Sequence, residues 1–202
     1  MVAKNLTPRT MTVDDFLAWC EAPEQEGGRY ELVRGEVIDM PPAGDQHGTL
    51  CSWISHLLWV FVMTRGKGRV NSNDTGLVIR RRADTVRGAD IMLFDESTSL
   101  QDISQLHVTT TPSLIVEIYS PSDRPGRLSR RIADYHSHGV PLVWVVYPED
   151  HVVDVHRVGH SVEARIIGDT LTGADVLPDL SVDVAEVFRL PGTDTGTTAS
   201  PK

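Results

Sequence analysis

The sequence predicts a mixed α/β fold: a mixed β-sheet flanked by helices, preceded by an N-terminal helix and a β-hairpin. Three stretches predict it. From Pro112 to Pro148 an apolar run ends at Ser120-Pro121 and a second opens at Gly139-Val140-Pro141. A segment of helical length lies between them, the signature of a parallel βαβ unit. Asp45 to Thr64 repeats apolar residues at intervals of three and four, which is the helical period. Tyr30–Val33 and Glu36–Met40 flank Arg34-Gly35, a two-residue turn ending in glycine between alternating strands.

The other elements follow in order. Residues 1–11 read as a loose arm. Thr12 and Asp15 form a T-x-x-D capping pattern before Phe16, Leu17 and Trp19, so a short helix is expected to stop before Pro23. Gly66-Lys67-Gly68 ends the long helix. Arg69–Asn71 and Thr75–Arg80 read as two strands around a turn at Asn73-Asp74, followed by a charged link and a strand over Gly88–Phe94. Residues 95–111 are a polar connection without a period. His151–Arg157 alternates and pairs naturally with Val143–Tyr147 through the turn at 148–150. Ser161–Ile167 is a further strand and Val182–Phe188 a short helix. A single domain over 1–190 is expected, with a disordered tail over 191–202 that has nothing to bury.

Composition narrows the class. Hydrophobic content of 40% and charged content of 23% suit an ordinary soluble domain. The longest apolar run, Leu57–Met63, is far too short to span a bilayer, and the N-terminus lacks a signal-peptide pattern. No membrane partner and a cytoplasmic location are therefore expected. Cys20 and Cys51 form neither a metal-ligand spacing nor a disulfide framework and read as small hydrophobes on helices. The net charge of −9 counts against a generic nucleic-acid coating protein. Two arginine clusters stand out, Arg80-Arg81-Arg82 with Arg87, and Arg124, Arg127, Arg130 and Arg131; such runs are more often solvated faces than binding sites. Lysines are confined to Lys4, Lys67 and Lys202.

Chemistry centres on single acids inside apolar strands. An ionised carboxylate there is costly unless it is paired or bound to a metal. Asp90 and Glu117 both meet this description, and neighbouring strands would aim them at one spot. Glu31 on the hairpin is a third carboxylate, and His47 opens the long helix after a Pro-Pro-Ala-Gly loop. Oxygen ligands suit hard cations such as Mg²⁺, which can activate water and neutralise a scissile phosphate. Taken singly, the structural readings are the better ones: Asp90 as a strand-end cap or salt-bridge partner, Glu117 as the partner of an arginine on the next helix, and His47 as an ordinary helix N-terminal histidine.

The ordered series changes that balance. Tyr30-Glu31-Leu32 with Gly35-Glu36, His47-Gly48, Ala89-Asp90-Ile91, Val116-Glu117-Ile118 with Ser120-Pro121-Ser122, Tyr135 with Gly139-Val140, and Trp144 with Pro148 resemble the motifs of the Uma-type (Uma two) endonuclease family. That family belongs to the PD-(D/E)XK restriction-endonuclease-like superfamily, and the resemblance covers roughly residues 10 to 190. It implies a restriction-endonuclease-like core and a divalent-metal site for Mg²⁺ or Mn²⁺. It implies Glu31, Asp90 and Glu117 as metal ligands, joined by the backbone carbonyl near Ile118, with His47 at the edge of the site. One departure is plain: Tyr119 occupies the lysine slot of E-x-K. Family members of this kind carry the lysine on the following helix, four residues before the tyrosine of the Tyr…Gly-Val motif. That position is Arg131, which can carry charge but cannot lose a proton at working pH.

The resemblance implies a metal-dependent endonuclease acting on DNA, with Asp90, Glu117, Arg131 and His47 in the catalytic site. A nuclease fold kept for nucleic-acid or protein binding is the alternative, because fold does not dictate activity. An oligomeric interaction module using exposed Trp and Val strands is a third reading. A symmetric homodimer is the default assembly.

Overall fold

The computed structural model describes residues 10–81, 84–120 and 126–190. Residues 1–9 of the arm expected over 1–11, the tail over 191–202, and Arg82, Pro121, Ser122 and Arg124 lie outside the described residues, while the Met11 amide is tied to the Gly35 carbonyl at 2.8 Å.

The chain begins with α1 (Val13–Cys20), capped at Thr12 by the capping box that its sequence implies: Thr12 Oγ1 accepts from the Asp15 amide at 3.1 Å. The hairpin β1 (Tyr30–Val33) and β2 (Glu36–Asp39) turns through Arg34 and Gly35 at φ 52° and 82°. Two left-handed residues are what a two-residue hairpin turn requires, and glycine supplies the second without strain. Next comes α2 (Asp45–Arg65), with an acid in its first turn, Arg65 in its last, and Gly66 closing it at φ 66°.

Here the structure corrects the sequence reading. Residues 69–80 are one strand, β3 (Arg69–Arg80), and not two strands around a turn. Asn73 and Asp74 do turn left-handed, but both halves pair with the same neighbour, β4 (Thr85–Phe94). Ser72 pairs with Ile91 and Thr75 with Ala89, so three steps on β3 oppose two on β4. The extra residue is a β-bulge beside Asp90. β4 also starts earlier than expected, which draws Arg87 from the charged link into the sheet, where it is buried.

The βαβ unit is β5 (Leu114–Ile118), α3 (Arg127–Ser137) and β6 (Leu142–Tyr147), with β5 and β6 parallel. Then β7 (Val152–Arg157) and β8 (Glu163–Ile166) add antiparallel strands. A hairpin absent from the sequence reading, β9 (Thr170–Gly173) and β10 (Leu177–Asp183), leads into α4 (Val184–Val187). Pro178, Asp179 and a register shift hide its alternation.

β1 to β8 form one mostly antiparallel sheet in the order β2-β1-β4-β5-β6-β7-β8, with β3 on the other edge of β4. α2, α4 and the β9–β10 hairpin cover one face, over Ile91, Leu93, Val116 and Trp144. α3 covers the other, over Met92, Ile115, Val143 and Val145. Trp144 is 1% exposed, so the interaction module with exposed Trp and Val strands has no Trp144 to offer. No helix among the described residues is long and apolar enough to cross a membrane.

Candidate metal and nuclease site

The site lies where the sheet forks. One edge of β4 pairs first with β1, at Leu32–Val86, and then with β5, from Ile91–Val116 to Leu93–Leu114. Residues 87–90 of β4 fall in the gap between those two partners. Backbone donors in such a gap need acceptors. Carboxylates provide them: Glu31 Oε1 accepts from the Gly88 amide at 2.9 Å, and Asp90 Oδ2 accepts from the Ile118 amide at 2.7 Å. Both acids replace rungs of the ladder.

Asp90 and Glu117 stand on adjacent antiparallel strands, one step beyond the Ile91–Val116 pair. Directly opposed residues of an antiparallel pair share a face. Glu117 is enclosed from the α3 side, where Tyr135 donates its hydroxyl to Oε1 at 2.5 Å. Arg131, one turn earlier on α3, reaches inward with a side chain only 13% exposed. Its Nη2 lies 3.1 Å from Glu31 Oε1 and also donates to the Gly88 carbonyl. Its Nε is 3.1 Å from Glu117 Oε2, an ion pair whose angle does not make a hydrogen bond. One guanidinium therefore sits between two of the three carboxylates.

Arg87 anchors the assembly from below. It donates to Glu31 Oε2 at 2.9 Å and, through Nε and Nη2, to Asp134 Oδ2 at 3.0 and 2.7 Å. Asp134 also takes the part-exposed Arg80 at 3.0 Å, so α3 is tied to β4 by a buried ion pair and to β3 by a part-exposed one. The arginine clusters thus divide. Arg81, Arg127 and Arg130 are solvated as such runs usually are, whereas Arg87 and Arg131 are turned inward. Arg127, Arg130 and Arg131 line, with Glu31 and Glu117, a cleft of about 340 Å³.

His47 meets the site from the first turns of α2: Nε2 is 3.2 Å from Asp90 Oδ1. That hydrogen bond holds the imidazole charged, with its pKa raised to about 10. Burial pushes the Glu117 carboxyl up to about 8 against the pull of Arg131, and the Asp90 charge adds to the rise. Burial also opposes the Arg131 charge, but Glu117, Tyr135 and Glu31 outweigh it and keep the group protonated.

The structure thus brings Glu31, Asp90, Glu117, Ile118, Arg131 and His47 into one neighbourhood. Sequence reasoning counted Arg87 in an arginine run, read Cys51 as a small hydrophobe and did not single out Asp134. Asp134 carries a usable signal, lying on the side of α3 marked by Ile132 and Tyr135, whereas Arg87 follows a run of arginines and only the register of β4 shows it to be inside. Cys51 shows itself only through the fold, which sets it beside His47 and Asp90.

Hard divalent cations take oxygen ligands, whereas the group of three donor atoms lying within 4.8 Å of one another among the described residues is that of His47, Cys51 and Asp90. Glu31, Asp90, Glu117 and Asp134 set four acids against Arg87, Arg131 and the shared, part-exposed Arg80. His47, held charged beside Asp90, adds a further positive group, and the rise at Glu117 comes first from burial.

Comparisons with known proteins agree with this architecture. No curated protein matches the chain significantly. A solved structure titled as "a putative nuclease belonging to DUF820" from Anabaena variabilis superimposes with a TM-score of 0.74 at 19% identity, covering 88% of this chain and 97% of that one. At that identity the likeness speaks for the fold. The sequence family Uma2 matches residues 13–185. The chain therefore belongs to the Uma2 family, described as "Putative restriction endonuclease", and its function is nuclease-like.

Proposed function

We propose that the protein is a metal-dependent endonuclease that hydrolyses phosphodiester bonds of DNA. The observation that carries this reading is the β-sheet fork, where Glu31 and Glu117 meet on the Arg131 guanidinium and Asp90 stands beside Glu117 on the adjacent strand. Asp90, Glu117, the Ile118 carbonyl and Glu31 would hold Mg²⁺ or Mn²⁺. Bound there, the ion supplies a water nucleophile at neutral pH and neutralises charge on the scissile phosphate.

The chain's own residues do the rest. Arg131 is a fixed donor fork beside the carboxylates, suited to pair with a phosphate oxygen as charge develops. Tyr135 holds Glu117 in place through its hydroxyl. His47 holds the other oxygen of Asp90, fixing that carboxylate's rotamer. Arg127 and Arg130 at the cleft rim offer sequence-independent contacts to flanking phosphates, a local positive edge on an acidic protein. The proposal also takes the protein as cytoplasmic and, by the common preference for two-fold symmetry, homodimeric.

A second reading, a catalytically impaired nuclease fold that binds nucleic acid or protein, is favoured by one observation. Arg131 stands where a lysine would serve, and a guanidinium already neutralises Glu31 and Glu117. Cleavage of supercoiled plasmid with Mn²⁺ or Mg²⁺ separates the two. Nicking by wild type above an Asp90→Ala blank supports the enzyme, and retarded DNA migration without nicking supports the binding module.

A further inference from the structure

Asp90 has a second set of neighbours. A ring nitrogen of His47, Cys51 Sγ and an Asp90 carboxylate oxygen all lie within 4.8 Å of one another. His47 and Cys51 are four apart on α2 and share a helical face, while Asp90 reaches them from the buried strand. These donors are nitrogen, sulfur and oxygen, a softer set than the oxygen cluster around Arg131. Tetrahedral zinc spaces such ligand atoms by roughly 3.3–3.8 Å, from metal–ligand bonds of about 2.0–2.3 Å. Small side-chain rotations close the difference.

His47 and Cys51 line a cleft of about 550 Å³ that is different from the one beside Arg131. An independent feature of that cleft points to a ligand. Ser55, one helical turn beyond Cys51 on the same stripe, also lines it. The residue is 8% exposed, and its Oγ is buried with no hydrogen-bond partner among the described residues. A buried hydroxyl left without a partner is costly, so the wall of this cleft carries an unmet polar group.

We infer that His47, Cys51 and Asp90 form a three-ligand site for a borderline-soft transition dication of the Zn²⁺ class, open on its fourth side to the cleft lined by Ser55. Two protein ligands come from consecutive turns of one helix and the third from a strand, leaving a position for water, as in zinc sites that are not closed. Binding would release the Cys51 thiol proton and one imidazole proton of His47 to solvent, and the three side chains would hold the metal. Magnesium has no use for sulfur, so this site does not depend on the nuclease reading. It does share Asp90 with the oxygen cluster, so zinc competes with Mn²⁺ or Mg²⁺ for that carboxylate.

Cobalt(II) titration of the full chain tests the inference, because a thiolate–Co²⁺ bond has a charge-transfer band that oxygen ligands do not give. The expected result is a band saturating at one Co²⁺ per chain, displaced by Zn²⁺ and not by excess Mg²⁺. Cys51→Ala and Cys51→Ser should lose the band, His47→Ala should bind at least tenfold more weakly, and Cys20→Ala should match wild type. Circular dichroism and melting temperature establish that each variant is folded, and the serine variant preserves the packing volume. Absence of the band in wild type overturns the site, as does a band unchanged in Cys51→Ala and Cys51→Ser. Co²⁺ binding without a thiolate band, abolished by Glu117→Gln, also overturns it while leaving the nuclease reading intact.

Discussion

Arg87 on β4 and Asp134 on α3 form a buried ion pair in which Nε and Nη2 both reach Oδ2, at 3.0 and 2.7 Å. The same guanidinium holds Glu31 at 2.9 Å, so one arginine fixes both the crossover helix and a carboxylate of the candidate site. Burial disfavours the Arg87 charge, and Glu31 and Asp134 more than restore it.

Removing one partner of such a pair leaves an uncompensated buried charge, which costs about 3–5 kcal/mol. Asp134→Ala leaves Arg87 with Glu31 as its remaining carboxylate, so the expected loss of unfolding stability is below that range, about 1–3 kcal/mol. Asp134→Leu combined with Arg87→Met should recover only part of the loss, since the apolar pair carries no desolvation penalty but Glu31 Oε2 loses its Arg87 partner. Urea denaturation of the three proteins reads both effects; a loss under about 0.5 kcal/mol in Asp134→Ala would mean that the pair is effectively solvated.

Metal linkage gives the second prediction. A dication held only by the folded state raises stability by about 2.7 kcal/mol at a hundredfold excess over Kd. Mg²⁺ or Mn²⁺ should raise the melting temperature of wild type. The shift should vanish in Asp90→Asn and persist under Mg²⁺ in Cys51→Ala, because sulfur is not a magnesium ligand. An undiminished Mg²⁺ shift in Asp90→Asn would place the cation elsewhere.

The third prediction concerns pH. His107 packs edge-on to Phe16 at 6.5 Å and against Gly76, where even a Cβ would come within 2.5 Å of the ring. Its Nδ1 is buried without a hydrogen-bond partner among the described residues, and burial lowers its pKa below 6.5. The unfolded chain then binds this proton more readily than the folded one. Stability due to His107 is present above pH 6.5 and is lost as pH falls through that value toward the depressed folded pKa. Melting temperatures from neutral to mildly acid pH should fall more steeply in wild type than in His107→Gln. Parallel profiles would show that the ring takes up its proton freely.

Much of the fold was legible because its elements carry strong local signals: the Thr12–Asp15 box, the Arg34-Gly35 turn, the long apolar stripe of α2 and the two apolar strands of the βαβ unit. The bulge at Asn73-Asp74 was not, since two left-handed polar residues look the same in a turn and in a bulge until both flanks are seen to pair with one strand. At the site, Asp90 and Glu117 were visible as acids in apolar surroundings. Arg87 was not, because it follows a run of arginines and only the register of β4 shows it to be inside. Cys51 could not be read as a ligand either: its partner Asp90 is remote in sequence, so no spacing rule applies.

The last prediction concerns Arg131. Its guanidinium touches Glu31, Glu117 and the Gly88 carbonyl together, using the fork of donors that lysine lacks. Arg131→Ala removes the only positive group placed between those two carboxylates among the described residues, and it should abolish nicking by about 10²–10³-fold, the usual loss for one electrostatic donor in the transition state. Arg131→Lys keeps the charge on a shorter donor set, so activity should be retained or improved. The two differ in proton chemistry as well. A guanidinium stays protonated at every working pH, so the wild-type rate should show no titration from this residue, whereas a buried lysine can lose its proton and add a rising limb to the pH–rate profile. Plasmid nicking with Mn²⁺ across pH, for wild type, both variants and the Asp90→Ala blank, reads each of these. If wild type equals the blank while Arg131→Lys cleaves, the natural protein is a disabled nuclease and the binding-module reading holds. If every protein equals the blank on single- and double-stranded substrates, the failure lies deeper than one side chain, and the carboxylates at the fork serve to hold the sheet together.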